Sequence, residues 1–234
     1  MLVDLRKIQG LETISVSLEG VRLGAKVRWC DIEADRRLDT AHPLLRAAIA
    51  HVAHYQIRNR GTVGGSLAHA DPAAEMPGIA VTCDASIVVK GVAGERIVQA
   101  GRFFLGALSA DLKPDELIVE VRFPTWPIGR RWAFEEFARR RGDFALAGIA
   151  LHYDLDAQGR VRDAHVGVIG ACTRPHRVPE AEAELNGRSL TESAILGAAR
   201  AAKAAVRPTS DLHAREAYRR ALVETLLERA LRRA

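Results

Sequence analysis

Apolar and β-branched residues recur along the first half of the chain in a pattern typical of strands. The pattern predicts four strands: GVRLGAKV (20–27), ASIVVKG (85–91), ERIVQA (95–100) and ELIVEVRFP (116–124). After the first of them, HPLLRAAIAHVAHY (42–55) carries apolar residues at helical spacing, including Leu45, Ile49 and Val52. Since Pro43 suits a first helical turn, this segment predicts a helix.

The second half predicts a small antiparallel sheet followed by helices. RWAFEEFARR and ALAGIALHYDLD are typical of strands, and the turn AQG leads into a further strand, RVRDAHVGVIGA. Two helices follow, one over 191–206 with Thr191 as N-cap and one over 211–233 with Asp211 as N-cap.

Pro124, Pro127 and Gly129 interrupt these patterns and predict a domain boundary. We therefore divide the chain into two domains, residues 1–125 and 126–234. The predicted fold class is α+β, in which a mixed N-terminal part precedes a small antiparallel sheet plus helices.

Composition narrows the class of protein. The 234 residues are 48% hydrophobic, with polar and apolar positions mixed throughout, as in a globular protein. No run of eighteen apolar residues is present, and the first residues lack the apolar core of a secretory signal. Cys30, Cys83 and Cys172 are widely spaced and match neither a metal-ligand nor an iron–sulfur spacing. We expect a cytoplasmic protein with reduced thiols, no membrane span and no metal of its own.

The net charge of +5 is concentrated in the second half of the chain. Residues 1–125 carry 15 basic and 15 acidic side chains, whereas residues 126–234 carry 19 basic and 14 acidic ones. The basic residues are scattered among Glu and Asp, without interleaved aromatic residues or a nucleic-acid motif. We therefore expect no nucleic-acid partner.

A glycine-rich stretch, IRNRGTVGGSLAHADPAAEMPG (57–78), holds the candidate chemistry. Gly64 and Gly65 can adopt backbone angles that other residues avoid, and they allow a ligand to approach the main chain. Hydroxyl groups of Thr62 and Ser66 lie on either side. The pattern predicts a loop over 62–66 whose backbone N–H groups face a cleft and hold a phosphate or a polar cofactor chain.

The residues around this loop add to the hypothesis without deciding it. Arg58 and Arg60 put positive charge just before the loop, and Asp71-Pro72 predicts a helix start with Asp71 as N-cap. A tight turn without a ligand is the alternative. Neither GxGxxG after a strand nor GxxxxGK[ST] occurs, so the two common nucleotide loops are not present in this sequence.

The segment QIRNRGTVGGSLAHADPAAE resembles the second flavin-binding motif of the FAD-binding medium subunit of molybdenum hydroxylases, the carbon monoxide dehydrogenase and xanthine dehydrogenase type of enzyme. PDELIVEVRFP (114–124), FARRRGDFALAG (137–148) and SDLHAREAYRRAL (210–222) resemble later segments of that subunit in the same order. The resemblance implies a truncated two-subdomain FAD-binding domain of the vanillyl-alcohol oxidase type. A C-terminal domain of a small antiparallel sheet plus helices would follow.

The resemblance also implies which residues touch the cofactor. In the family, residues matching 62–66 hold the FAD diphosphate and ribityl region, and the carboxylate matching Glu75 reaches the ribityl chain. Phe134 and Asp143 flank a segment that passes close to the ring system. A helix-edge histidine without a ligand stays the alternative for His69. The implied cofactor-binding residues are Thr62, Val63, Gly64, Gly65, Ser66, His69, Asp71, Glu75 and Ile118.

One motif of the family is not found in this sequence. Members carry a first FAD loop of the type AGGQSL upstream of the segment that MLVDLRKIQGL resembles. A misassigned start, a fragment and a naturally short member would each give this sequence, and all three stay open. A site that lacks several charge-assisted hydrogen bonds of about 1.5–3 kcal/mol each loses orders of magnitude in affinity. We therefore expect the chain as given to bind FAD weakly or not at all.

The implied assembly has three subunits. An iron–sulfur small subunit with [2Fe-2S] clusters would pass electrons to FAD and on to an external acceptor, while a large subunit with the molybdenum cofactor would hydroxylate the substrate. No catalytic residue is assigned to this chain. An absent first strand would expose a sheet edge, so we also expect self-association. The alternative is a cofactor-free interaction subunit that scaffolds its two partners.

Overall fold

A computed structural model describes residues 4–234, in which two main antiparallel sheets are connected by residues 124–130. Residues 1–3, the beginning of the segment expected to follow the first FAD loop, lie outside the described residues. Within residues 4–234 the strands are β1 (Ile14–Ser17), β2 (Gly20–Gly24), β3 (Ser86–Gly91), β4 (Gly94–Gln99), β5 (Phe104–Gly106), β6 (Ser109–Ala110), β7 (Leu117–Phe123), β8 (Arg131–Phe137), β9 (Ala147–Leu155), β10 (Val161–Ile169) and β11 (His176–Arg177).

Most helices fall in two groups along the chain, six before β3 and three after β11, in the described residues. The helices are α1 (Trp29–Ala34), α2 (Leu38–Ala41), α3 (Pro43–Ile49), α4 (Tyr55–Arg58), α5 (Val63–His69), α6 (Glu75–Thr82), α7 (Ala100–Phe103), α8 (Pro179–Leu185), α9 (Glu192–Ala205) and α10 (Glu216–Arg233).

The first sheet has five strands in the order β1-β2-β7-β3-β4, and all neighbours are antiparallel. The strands predicted over 20–27, 85–91, 95–100 and 116–124 are confirmed as β2, β3, β4 and β7. β7 therefore lies at the centre of the sheet although it comes last in the chain. Helices α3, α5 and α6 contribute to the hydrophobic core of this part.

The second sheet has four strands in the order β11-β10-β9-β8 and confirms the predicted antiparallel hairpin of β9 and β10. It is buried on both faces, so β9 has a continuous run of buried residues rather than alternating ones. Ile149 and Leu151 face a core built with α8, α9 and α10. Phe134 and Ala150 face the core of the first part.

Helix α6 lies against this inner face and is buried along its whole length. A Cβ on Gly78 would overlap the side chain of Ile169 in β10, and a Cβ on Gly167 would overlap Thr82. Because glycine removes the side chain at both contacts, helix and sheet approach closely. The packing of α6 on the second sheet thus joins the two parts of the molecule.

The helix predicted over 42–55 is shorter than expected, because α3 ends at Ile49. Ala53 has a left-handed backbone conformation (φ 40°), which a continuing α-helix does not allow. The carbonyl oxygens of Val52 and Ala53 instead accept hydrogen bonds from the Arg58 guanidinium, each at 3.0 Å. Arg58 also pairs with Glu33 at 3.0 Å. Its charge is therefore used inside the fold rather than at the glycine-rich segment.

The C-terminal helices confirm one predicted cap and correct the other. The Thr191 hydroxyl accepts a hydrogen bond from the Ala194 N–H at 3.3 Å, as expected of the N-cap of α9. Asp211 is not the N-cap of α10, which begins at Glu216. Its carboxylate accepts hydrogen bonds from the backbone of His213 and Ala214 in a preceding turn. None of the helices in the described part of the chain has the length and apolar character needed to cross a membrane.

Candidate functional site

A cleft of about 450 Å³ opens where α4, α5 and the start of α6 meet the loop between β8 and β9; we call it the glycine cleft. Its lining combines apolar side chains, including an indole and a phenyl ring, with hydroxyl, imidazole and carboxyl groups. Its lining residues are Trp29, Val52, Ala53, Ile57, Arg60, Gly61, Thr62, Gly65, Ser66, His69, Ala74, Glu75, Gly142, Asp143 and Phe144. This combination is typical of small-molecule and cofactor sites.

The prediction of a loop over 62–66 with ligand-facing N–H groups is wrong. Thr62 is the N-cap of α5, and its hydroxyl accepts from the Gly65 N–H at 3.2 Å. The N–H groups of Val63 and Gly64 donate to the carbonyl oxygens of Val27 and Ala25, at 2.9 and 2.8 Å. The segment forms the first turn of a helix anchored on the chain after β2, so these amides have partners within the protein.

Two glycines of this segment allow close approach for different reasons. A Cβ on Gly64 would lie 2.9 Å from the Ala25 carbonyl oxygen, so Gly64 is needed for backbone packing rather than for a ligand. A Cβ on Gly61 would lie 2.6 Å from Trp29 Nε1. Because Gly61 and Trp29 both line the cleft, the absence of a side chain at Gly61 leaves room for the indole there.

Glu75, the first residue of α6, brings an acidic group into the cleft while remaining only 5% exposed. Burial raises the pKa of Glu75 to about 7, and the nearby charge of Asp71 acts in the same direction. Asp71 does not cap a helix as predicted, since its carboxylate accepts from the Ala73 N–H at 2.8 Å in a turn before α6. His69 Nε2 lies 3.9 Å from the Asp71 carboxylate at the mouth of the cleft.

Asp71 lines an adjoining cavity of about 540 Å³, which shares Gly142, Asp143 and Phe144 with the glycine cleft. The most buried polar residue that lines this adjoining cavity is Arg219, which is 6% exposed. Its Nη1 donates to two carbonyl oxygens, those of Leu146 at 2.7 Å and Gly170 at 2.8 Å, and its Nη2 pairs with Asp211 at 2.6 Å. Arg219 therefore fixes the wall of the adjoining cavity.

The residues singled out in the sequence are divided between the cavities and the core. Thr62, Gly65, Ser66, His69 and Glu75 line the glycine cleft, Asp71 lines the adjoining cavity and Asp143 lines both. Three others, Val63, Gly64 and Ile118, are buried and line neither cavity. Ile118, expected near the flavin or adenine, pairs with Val89 inside the first sheet. Phe134 is buried with its ring centroid 5.0 Å from that of His51.

Several lining residues were not singled out in the sequence. Trp29 and Phe144 supply the aromatic surface, and Ile57 is 52% exposed at the edge of the cleft. A lone aromatic residue carries no local signal of a ligand site, so only the fold could bring these residues together. Arg60, noted for its charge, lines the cleft and forms no ion pair with another residue in 4–234.

Three histidines gather at the other end of α6. The rings of His152 and His165 are tilted by 32° with centroids 4.3 Å apart, and Trp126 contacts both His42 and His152. His165 Nδ1 lies 2.8 Å from the carbonyl oxygen of Thr82, the last residue of α6. Burial lowers the pKa of His42 to about 3 and that of His152 to about 2, so both rings are neutral at pH 7. Within residues 4–234, no group of three or more His, Cys, Asp or Glu is arranged to hold a metal ion.

Comparison with known protein families assigns both parts of the molecule. Residues 1–126 match the FAD binding domain in molybdopterin dehydrogenase, and residues 132–234 match the CO dehydrogenase flavoprotein C-terminal domain. The chain belongs to this family: it is an FAD-binding medium subunit of the molybdenum hydroxylase type of dehydrogenase, and hence an oxidoreductase subunit. The resemblance and fold class inferred from the sequence are thereby confirmed.

Individual relatives agree in sequence and in structure. The chain is 38% identical over 234 residues to the 6-hydroxypseudooxynicotine dehydrogenase complex subunit alpha of Paenarthrobacter nicotinovorans, covering 100% of this chain and 79% of the relative. Carbon monoxide dehydrogenase from Hydrogenophaga pseudoflava matches with a TM-score of 0.93 and 33% identity, over 97% of this chain and 79% of that one. Quinoline 2-oxidoreductase from Pseudomonas putida 86 matches with a TM-score of 0.93 and 35% identity, over 99% and 80%.

Proposed function

We propose that the glycine cleft holds part of an FAD molecule, through which electrons pass from an iron–sulfur small subunit to an external acceptor. A large subunit with the molybdenum cofactor would be the original source of those electrons. One observation carries the proposal: Thr62, Ser66 and Glu75 meet beside an aromatic wall in the domain that matches an FAD-binding family. When bound, FAD supplies the redox chemistry, and the protein supplies its position and surroundings.

The cleft suits such a group in shape and in polarity. Gly61 and Gly65 add no side chains to the lining, and Phe144, which is 59% exposed, offers an aromatic surface against which a ring system can pack. Arg60 provides positive charge for a diphosphate. Because the N–H groups of Val63 and Gly64 are already bonded inside the protein, hydroxyl and charged side chains would make the polar contacts.

The cofactor-free scaffold stays the second candidate, and one observation favours it. The backbone amides that were expected to hold the FAD diphosphate are satisfied by carbonyl oxygens of the protein itself. In this alternative the family fold is kept as a platform between the small and large subunits. Exposed side chains near the cleft, such as Tyr55 (71%) and Phe144 (59%), would suit either a partner surface or a cofactor.

Flavin retention separates the two candidates. The purified chain is mixed with FAD, desalted and read by flavin absorbance, and the Kd is measured by fluorescence. We expect Gly65→Val, which adds a side chain to the cleft lining beside the Thr62 hydroxyl, to weaken FAD binding at least tenfold, a loss of about 1.4 kcal/mol. Gly101→Val is the control, because a Cβ at Gly101 meets open space. Equal FAD affinity in the two variants would remove the glycine cleft as the binding site, and a three-subunit complex that retains no flavin would favour the scaffold.

Co-expression with the small and large subunits tests the assembly. We expect a three-subunit complex that reduces an acceptor when substrate is added, and a chain that does so without partners would refute the subunit role. Self-association of the isolated chain stays a prediction. The outer strands β1 and β4 of the first sheet are the edges through which it would occur, and sedimentation velocity would detect it.

A further inference from the structure

Near the N-terminal end of α6, two acidic residues hold carboxyl oxygens away from solvent without a basic partner in residues 4–234. Glu75 is 5% exposed, and Glu136 on β8 has its Oε2 atom buried without a hydrogen-bond partner in residues 4–234. Neither carboxyl group forms an ion pair in this described part of the chain, where many other acidic residues pair with Arg or Lys. A buried, unpaired carboxylate is unfavourable, so this position calls for a physical explanation.

The strand register shows that both groups lie at one end of the helix–sheet interface. Glu136 pairs with Gly148, and Gly148 pairs with Ile169 on the next strand. Gly78 of α6 packs directly on Ile169. A Cβ on Gly148 would lie 3.3 Å from Ile169 Cβ and 3.6 Å from Glu136 Cγ, so the Glu136 side chain lies over this corner of the sheet. Since Glu75 precedes Gly78 by about one helical turn, we infer that its carboxyl group lies near the same corner.

The two carboxyl groups also lie between two cavities. Glu75 lines the glycine cleft, and Glu136 lines a groove of about 400 Å³ on the other side. Gly142 lines both cavities, so the wall between them is thin there. The pair is therefore positioned to respond to what occupies the cleft.

Other titratable groups around the pair come from three elements. Asp71, in the turn before α6, adds negative charge near Glu75. His51, just after α3, lines the groove with Glu136, as do Arg140 and Arg141 of the loop after β8. Burial raises the pKa of Glu136 to about 8, and the negative charge of Glu75 raises it further.

We propose that Glu75 and Glu136 form a coupled carboxyl pair that holds one proton at neutral pH, and that an acceptor atom in the glycine cleft favours the form with this proton on Glu75, which then donates it in a hydrogen bond to the ligand. Two carboxylates at this corner would repel each other in a medium of low dielectric, and one shared proton removes that repulsion. Glu136 is a positioning residue in this arrangement, because it acts on the cleft through Glu75.

The donor changes which ligand atoms the cleft can accept. A carboxylate can only accept hydrogen bonds, whereas a protonated carboxyl group also donates one. Carbonyl, hydroxyl and phosphate oxygens of a flavin nucleotide are acceptors that such a donor would contact. This part of the inference rests on the proposed function, whereas the shared proton is a property of the protein alone.

Infrared spectroscopy of the ligand-free chain tests the shared proton. A protonated carboxyl group has a C=O stretching band well above the carboxylate bands, and it shifts in D₂O. We expect such a band at pH 7 and expect it to disappear as the pH is raised past about 8. Glu75→Gln and Glu136→Gln should each remove or shift the band. Glu135→Gln is the matched control, because Glu135 lies on the opposite face of β8, paired with Arg233 at 3.1 Å.

The absence of the band at pH 7, or a band unchanged in both pair variants, would overturn the proposal. The isosteric Gln variants resemble the protonated state and are expected to fold, and circular dichroism verifies this. The role of the donor is tested by the pH dependence of FAD affinity. In Glu136→Gln the affinity should begin to fall at a lower pH than in the wild type, because Glu75 loses the neighbour that keeps it protonated.

An FAD affinity whose pH dependence is unchanged in Glu136→Gln would refute the donor role. If the wild-type chain and its variants bind no FAD at all, the proposed function of the cleft fails with the donor role. The infrared result then still decides whether the two carboxyl groups share a proton.

Discussion

The two ends of α6 bury opposite kinds of titratable side chain. At the N-terminal end, Glu75 lines the glycine cleft and Glu136 lines the groove on the other side, and neither has a basic partner in residues 4–234. At the C-terminal end, about 12 Å away along the helix, the rings of His152 and His165 lie with centroids 4.3 Å apart near Arg130. Burial raises the pKa values of the acids and lowers that of His152, so the neutral form is favoured at both ends.

The comparison separates the effect of burial on a titratable side chain from the effect of its hydrogen-bond partners. His165 has polar partners, the Thr82 carbonyl oxygen at 2.8 Å and the Asp163 carboxylate at 3.2 Å. The acidic end has no comparable partner in the described residues, and it faces a cleft that a ligand can enter. A buried polar group with partners fixes structure, whereas one without them beside a cleft is a candidate for function.

The largest expected effect concerns the carboxyl groups of Glu75 and Glu136 at the N-terminal end of α6. A group whose folded-state pKa is raised stabilises the protein below its unfolded-state pKa of about 4.5, and this stabilisation is lost as the pH rises to about 8. Glu136→Gln removes this dependence. Relative to the wild type, the variant should gain up to about 4 kcal/mol in unfolding free energy between pH 5 and pH 8.5.

Urea unfolding at the two pH values measures this difference, with Glu135→Gln as control. A Glu136→Gln variant that follows the wild-type pH dependence would show that Glu136 is ionised in the folded protein. The contrast between the two ends of α6 would then be lost.

A substitution in the middle of α6 should weaken the packing at both of its ends. Gly78→Val places side-chain atoms where Ile169 already lies, so α6 must move away from the sheet. We expect a loss of about 3 kcal/mol, at the upper end for overpacking, and the loss should not depend on pH. Thermal unfolding measures it.

Gly101→Ala is the matched control for Gly78→Val, because a Cβ there meets nothing within 4 Å. It should leave stability unchanged or raise it by up to about 1 kcal/mol, since alanine favours a helix more than glycine. Equal stability of the two variants would mean that the close contact of α6 with β10 does not hold the two parts together.

The sequence pattern sufficed for elements that depend on local preferences. β3, β4, β7 and the β9–β10 hairpin follow from their β-branched residues and turn, and the start of α9 follows from Thr191. The early end of α3 could not be predicted, because it depends on Arg58 binding the carbonyl oxygens of Val52 and Ala53. Such contacts form only in the folded chain.

The candidate site was predictable only in part and for a similar reason. The motif resemblance pointed to Glu75, but no local signal pointed to Glu136. Within RWAFEEFARR, Glu135 and Glu136 are indistinguishable by composition, yet Glu135 pairs with Arg233 and Glu136 has its Oε2 atom buried without a partner in residues 4–234. The alternation of faces along a strand becomes informative only when it is known which elements cover each face.

The histidine end should respond to pH with the opposite sign. A lowered folded-state pKa means that stability is complete above the unfolded-state pKa of about 6.5 and is lost as the pH falls. For His152, with a pKa of about 2 in the folded protein, the loss should reach about 2 kcal/mol at pH 5. His152→Leu should remove this loss. The unfolding free energy of the variant relative to the wild type should therefore rise as the pH falls from 7.5 to 5.

Chemical denaturation at both pH values gives the change in unfolding free energy with pH. His69→Gln is the control, because that side chain is 60% exposed. The Nδ1 atom of His152 has no partner in residues 4–234, so leucine leaves no broken hydrogen bond at that atom. If the unfolding free energy of His152→Leu changes with pH as in the wild type, another group controls the acid sensitivity.

The smallest effect concerns the helix cap beside the acidic end. Thr62→Ala removes the hydroxyl that accepts from the Gly65 N–H, and this should cost about 1 kcal/mol of stability. Thr191→Ala removes the equivalent cap of α9, far from the cleft in the chain, and should cost about the same. The two variants therefore match in stability and differ only in location.

We expect Thr62→Ala alone to weaken FAD binding, and Thr62→Ser to restore both stability and FAD binding, since serine keeps the capping oxygen. Thermal unfolding and flavin fluorescence on the same samples provide the two readouts. If both alanine variants retain flavin equally, the cap serves only the helix, and the ligand role of this end must rest on Glu75 and Ser66.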